Sequence, residues 1–267
     1  MSTNTPLTEL FEKLKTENRA ALIGYVPAGF PSVQKCVDVV RSMVAGGVDA
    51  IEIGFPYSDP VMDGQIIQAA ADQSLKNGTG AGEVFATVKA VASLGIPVVV
   101  MTYWNPIERY GVEKFAESLA EAGGSGVITP DLTIEEAHSW LDAVKKNSIN
   151  SIFVVAPSTK DQRLQSVSAE CSGFIYAASL MGVTGTRTSV SSKAEELVKR
   201  IRSVSSTPVA VGLGVSTPEQ AHEVAQYADG VIVGSAFIRQ IQEAATFEEG
   251  LQRVQELAHS LAAGVRR

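Results

Sequence analysis

The sequence predicts an α/β fold: one (β/α)8 TIM barrel spanning residues 1–267 as a single domain, with an extra helix ahead of the first strand. Three observations carry this expectation. Eight short β-rich runs alternate with longer segments of helical periodicity, the pattern of repeated strand–helix units. The runs are almost continuously apolar, as parallel strands covered on both faces are. No linker, low-complexity tract or shift in composition divides the chain. No G-x-G-x-x-G follows the first run, which argues against an open doubly wound sheet.

The first element is the amphipathic stretch MSTNTPLTELFEKLK. Thr5 is placed to cap it, Pro6 suits its first helical position, and Leu7, Leu10, Phe11 and Leu14 fall on one face. The same stretch lacks the basic and apolar regions of a secretory signal. The strand runs are ALIGYV (21–26), AIEIGF (50–55), PVVVMTY (97–103), GVITP (126–130), NSIFVVA (150–156), GFIYAAS (173–179), PVAVGLG (208–214) and GVIVGS (230–235). Between them, segments such as SVQKCVDVVRSMVAGG and TIEEAHSWLDAVKKN carry apolar residues at i, i+3, i+4 and i+7. Ser32 and Thr133 are placed to cap helix starts, the latter with Glu136 three residues on.

Composition narrows the function. A hydrophobic content of 45% with few aromatics supports a large aliphatic core. The formal net charge is -7, and no Lys/Arg block occurs beyond Arg266-Arg267, which speaks against nucleic-acid binding. The apolar runs are too short to span a membrane. Two cysteines, Cys36 and Cys171, fall in helix-like segments with no metal or disulfide spacing, as expected of small buried residues in a cytoplasmic protein. The three histidines, His138, His222 and His259, lie on helical patterns. Chemistry is therefore expected from carboxylates, tyrosines and backbone amides.

In such a barrel the active site lies at the C-terminal strand ends. The stretch IEIGFPYSDPVMDG (51–64) is the richest of them. Side chains alternate along a strand, so Ile51, Ile53 and Phe55 face outward, and Ala50, Glu52 and Gly54 face the barrel interior. A carboxylate there is poorly solvated, its pKa rises, and it suits general acid–base work near neutral pH. The alternative is a structural acid paired with a buried Arg or Lys, for which nearby strand ends offer few candidates. Asp59 and Asp63 lie on the following loop, which Pro56 and Pro60 restrict. Asp59 reads as turn chemistry, and Asp63 either as a capping residue or as a second acid over the mouth.

GLG (212–214) and GS (234–235) end the seventh and eighth runs, and a helix starts at SAFIRQIQEA. Backbone amides and a helix N-terminus at this place form the usual phosphate site of the architecture. Gly212 and Gly214 otherwise only ease packing. After the sixth run, SLMGVTGTRTSVSS is long enough for a lid with Gly182 and Gly185 as hinges, or is an ordinary mobile loop. Thr184 and Gly185 are placed to reach the mouth.

Together these motifs resemble the tryptophan synthase α subunit family. The resemblance runs in order through YVPAGFP, IEIGFPYSDPVMDG, PDLTIEE, GVTG, GLGVSTPEQ and DGVIVGSAF. It implies a (β/α)8 barrel that cleaves indole-3-glycerol phosphate to indole and glyceraldehyde 3-phosphate. It implies Glu52 as the proton shuttle and Asp63 as the partner of the indole N–H. Tyr25 would line the indole pocket, and Tyr176 would sit against Glu52 or the substrate. Gly185, Gly214, Gly234 and Ser235 would donate to the phosphate, with Thr184 beside them. The family pairs with a β subunit in an α2β2 complex, which would place Asp59 at the junction. No cofactor is implied in this chain, because pyridoxal phosphate belongs to the β partner.

Some positions depart from the commoner family pattern: AGFP for AGDP, PDLT for PDLP, DGQ for DGP, and SLMGVTG where an Arg or hydroxyl residue often precedes GVTG. Three alternatives share parts of the reading. One is a stand-alone lyase. Another is a phosphate-binding barrel for sugar-phosphate isomerisation or thiamine-type coupling, which would not need Glu52 together with SDP-x-x-DG. The third is a subunit kept mainly to activate its partner.

Overall fold

Eight parallel strands hydrogen-bond in chain order and close on themselves, the last beside the first. The structure, a computed structural model, describes residues 5–178, 187–212 and 214–266. The strands are β1 (Ala21–Pro27), β2 (Ala50–Gly54), β3 (Val98–Met101), β4 (Gly126–Thr129), β5 (Asn150–Val155), β6 (Ile175–Ala178), β7 (Val209–Gly212) and β8 (Gly230–Val233). Seven of the eight expected runs hold one of them, and β1 extends one residue past its run, to Pro27. Pro97 and Pro208, which have no N–H to give a ladder, stand just outside their strands.

Helix α1 (Pro6–Thr16) precedes the barrel, and α2 (Val33–Ala45) follows β1. Two helices follow β2, α3 (Gln65–Lys76) and α4 (Ala81–Ala92), and two follow β3, α5 (Trp104–Tyr110) and α6 (Val112–Glu121). Then come α7 (His138–Lys146), α8 (Asp161–Glu170), α9 (Arg187–Arg202) and α10 (Pro218–Ala225), one after each strand. The last pair, α11 (Ser235–Gln242) and α12 (Phe247–Gly264), follows β8. Among the described residues no helix is long and apolar enough to cross a membrane.

Two of the expected caps form. Thr5 Oγ1 accepts the Thr8 amide at 3.2 Å, and Ser32 Oγ accepts the Lys35 amide at 3.3 Å. Thr133 does not start a helix. The amides of Glu136 and Ala137 bond to the carbonyls of Thr133 and Ile134 at 3.1 and 3.3 Å, three residues back rather than four. That closes a single turn, and α7 begins only at His138. Cys36 is buried in α2, but Cys171 lies just past the end of α8, where its Sγ accepts the Phe153 amide at 3.4 Å. Burial pushes the two thiols up to about 11 and about 12.

Strand parity divides the core into two clusters. Ile51 and Ile53 face outward and pack with Val39 and Met43 of α2 and Val84 and Val88 of α4. Ala21, Ile23, Ala50, Val99, Ile152 and Ala210 fill the barrel interior. Helix α1 closes the N-terminal end of that interior with Leu7, Phe11 and Leu14. The rings of Phe11 and Phe174 stand 5.8 Å apart, and buried Asn150 Nδ2 donates to Thr5 Oγ1 at 2.6 Å. The hydrophobic face read from the sequence is therefore the floor of the barrel.

Candidate active site

At the opposite end, the C-terminal strand ends surround a cavity of about 500 Å3, within the usual range for small-molecule sites. Every strand contributes to its wall. On the β3 and β4 side the lining is apolar, with Met101, Ile128 and Pro130. Across the ring, β7 and β8 bring Gly212, Gly214, Gly234 and Ser235. Glu52 on β2 and Tyr176 on β6 occupy the other diameter. The space thus has an apolar end, an amide-bearing end and acids between them.

Glu52 is 3% exposed, and its Oε2 has no hydrogen-bond partner among the described residues. Among the described residues no lysine or arginine lines the cavity, so the structural-acid alternative finds no basic partner among them. Burial pushes the carboxyl up to about 8, and the negative charge of Asp63 adds to the rise. Asp63 is half-buried on the loop before α3, and burial pushes it up to about 6. It does not cap the helix: the residue at that position is Gly64, with no side-chain bond to the first turn.

Tyr25 pairs in register with Glu52 across β1 and β2. Burial raises the pKa of both Tyr25 and Tyr176 well above the ordinary phenol range, and the charges of Asp63 and Glu52 raise them further. Both phenols are neutral hydrogen-bond donors at neutral pH. The strand-end glycines make room for them. A Cβ at Gly212 would lie 2.5 Å from Tyr176 Oη, and one at Gly234 would lie 3.0 Å from Tyr25 Cδ1. Gly212 therefore serves the tyrosine beside it, the packing alternative of the two read from sequence. Gly214 has φ of +72°, a backbone conformation that glycine adopts at little cost.

Gly234 caps α11 and Ser235 opens it. The amides of Phe237 and Ile238 donate to the Gly234 carbonyl at 2.9 and 3.2 Å, and those of Ser235 and Ala236, at the very start of the helix, have no helical carbonyl and are available to an anion. Asp59 lies away from this space, exposed on the β2–α3 loop, where it accepts the Ser58 hydroxyl at 2.6 Å. Thr184 and Gly185 lie outside the described residues.

A profile of the family described as tryptophan synthase alpha chain matches residues 11–266. This chain belongs to the tryptophan synthase alpha chain family. The alpha chain of Thermobifida fusca is 54% identical over 265 residues, covering 98% of each chain, and that of Streptomyces coelicolor is 52% identical over 261 residues, covering 97% and 96%. Among solved structures, tryptophan synthase of Mycobacterium tuberculosis superimposes with a TM-score of 0.91 at 48% identity, covering 98% of this chain and 99% of that one. The alpha subunit from Legionella pneumophila gives 0.89 at 31% identity, covering 98% of each.

Within this alpha-chain barrel, two residues that the sequence reading does not single out also shape the site. Met62 lines the cavity beside Asp63, and Tyr103 Oη accepts the Met62 amide at 3.0 Å. Tyr103 has the strand parity of Met101 and follows it by two residues, the same strand-end signal that marks Glu52.

Proposed function

We propose that this chain cleaves indole-3-glycerol phosphate by a retro-aldol reaction, releasing indole and glyceraldehyde 3-phosphate. The observation that carries the reading is the buried carboxyl of Glu52, held near neutrality in its titration between an apolar wall and a set of backbone amides. Neutral Glu52 gives its proton to the indole ring carbon that bears the side chain. Ionised Asp63 accepts the indole N–H and stabilises the positive charge that this protonation creates. Glu52, now a carboxylate, removes the proton from the adjacent side-chain hydroxyl. The carbon–carbon bond then breaks, its electron pair returns to the ring, and the alcohol becomes the aldehyde. Glu52 ends protonated, ready for another cycle.

Tyr25 and Tyr176 border the reacting atoms, and Gly214, Gly234 and Ser235 hold the phosphate through backbone donors. None of these steps draws on a cofactor. In this reading the chain works in the cytoplasm as the α subunit of an α2β2 complex. A pyridoxal-phosphate β subunit takes up the indole, and the Asp59 loop lies at the junction. The test is indole release from indole-3-glycerol phosphate by the purified chain, with and without a β subunit. Slow release alone and faster release in the complex is the expected result; no indole under either condition would overturn the proposal.

A further inference from the structure

Among the described residues nothing hydrogen-bonds the Asp63 carboxylate, so its place is set by the backbone that carries it. That backbone is tied on both sides. The Met62 amide, one residue before, donates to Tyr103 Oη at 3.0 Å. Gln68 Nε2, in the first turn of α3, donates to the Asp63 carbonyl at 2.8 Å and to the Pro60 carbonyl at 3.3 Å.

The Tyr103 tether is itself rigid. The residue is 2% exposed, and its ring centroid lies 5.3 Å from that of Tyr57, on the same loop as Asp63. The residue before it is bonded to β4 through the Thr102 amide and the Ile128 carbonyl at 3.0 Å. The residue after it is bonded to Asp131 Oδ1 through the Trp104 amide at 2.8 Å. A phenol fixed in this way keeps its proton, since burial pushes it up to about 12.

We propose that Tyr103 and Gln68 are positioning residues that hold the Asp63 carboxylate over the cavity, facing Glu52. This rests on the reading that Asp63 works in the cleavage. The tethers act against a real force. A carboxylate loses solvation at this place, so an untethered loop would swing it toward water. Tyr103 holds the loop at the Met62 amide and Gln68 holds it at the Pro60 and Asp63 carbonyls, so the loss of either removes one anchor.

The experiment compares the full-length chain with Tyr103→Phe, which keeps the ring, with Gln68→Leu, and with the double variant. Indole release is measured across pH, and the Asp63 carboxyl titration is followed by carbon NMR. Each single change should lower kcat/KM about tenfold, the scale of the one hydrogen bond lost in Tyr103→Phe or the two lost in Gln68→Leu, and the double change should lower it further. The acidic limb and the Asp63 titration should both move to lower pH as the carboxylate gains water. A drop in Tm with an unmoved acidic limb and an unmoved Asp63 titration would mark a merely structural role and overturn the inference. If the unaltered chain releases no indole, the proposed reaction fails instead, and the Asp63 titration in the three variants still decides the tethers.

Discussion

Replacing Glu52 by glutamine tests the site through stability as well as rate. In the folded barrel the carboxyl rises from its ordinary 4.5 to about 8, through burial first and the charge of Asp63 second. The folded state thus holds the proton over a window in which the unfolded chain has lost it. Stability from this group is complete below 4.5 and is lost as pH rises through about 8. At about 1.36 kcal/mol per pH unit, raising the pH from about 5 to about 8 should cost the unaltered chain about 4 kcal/mol that the glutamine variant keeps. The assay is urea unfolding followed by circular dichroism at half-unit pH steps, with both chains side by side. The same variant should stay folded and release indole about 10²- to 10⁴-fold more slowly. Parallel stability curves would refute the buried proton, and near-normal turnover would sink the cleavage mechanism.

Indole release should follow a bell against pH, falling below about 6, where Asp63 takes up a proton, and above about 8, where Glu52 has lost the one it must give. A flat profile between pH 5 and 9 would count against these roles. Asp63→Asn should slow release about 10²- to 10³-fold with little change in Tm, because no described group hydrogen-bonds that carboxylate; a large loss of Tm would point to a structural acid. Gly212→Ala brings a methyl to 2.5 Å from Tyr176 Oη and should cost about 1–3 kcal/mol in unfolding experiments together with a slower release of indole. Leu7→Ala empties part of the barrel floor and should cost about 2–5 kcal/mol in urea, with turnover per folded molecule unchanged.

The barrel is legible in the sequence because parallel strands buried on both faces leave unbroken apolar runs such as VVVM and GVIV. The inward direction of Glu52 follows from the same regularity, since a period of two fixes which face a strand residue takes. Loops have no such period. Turn chemistry could not separate Asp59 from Asp63; the structure puts one in the open and the other at the cavity. The glycine of β7 is visible as a strand end, but its neighbour is not: Tyr176 meets Gly212 only because β6 and β7 lie side by side in register. Tyr103 escapes for a related reason, since its hydroxyl acts on an amide 41 residues away. Thr133 shows the limit of local signals, because a cap-like pair can serve a lone turn as well as a helix.

The seal that α1 makes with Leu7, Phe11 and Leu14 has a bearing on traffic. With the base of the cylinder stoppered, the described residues leave the chamber a cul-de-sac that opens toward the loops that follow the strands. On the proposed reaction, indole formed beside Glu52 has to leave past the same rim its precursor crossed. A subunit that collects it must therefore dock over that opening, and cannot draw it out along the axis from beneath.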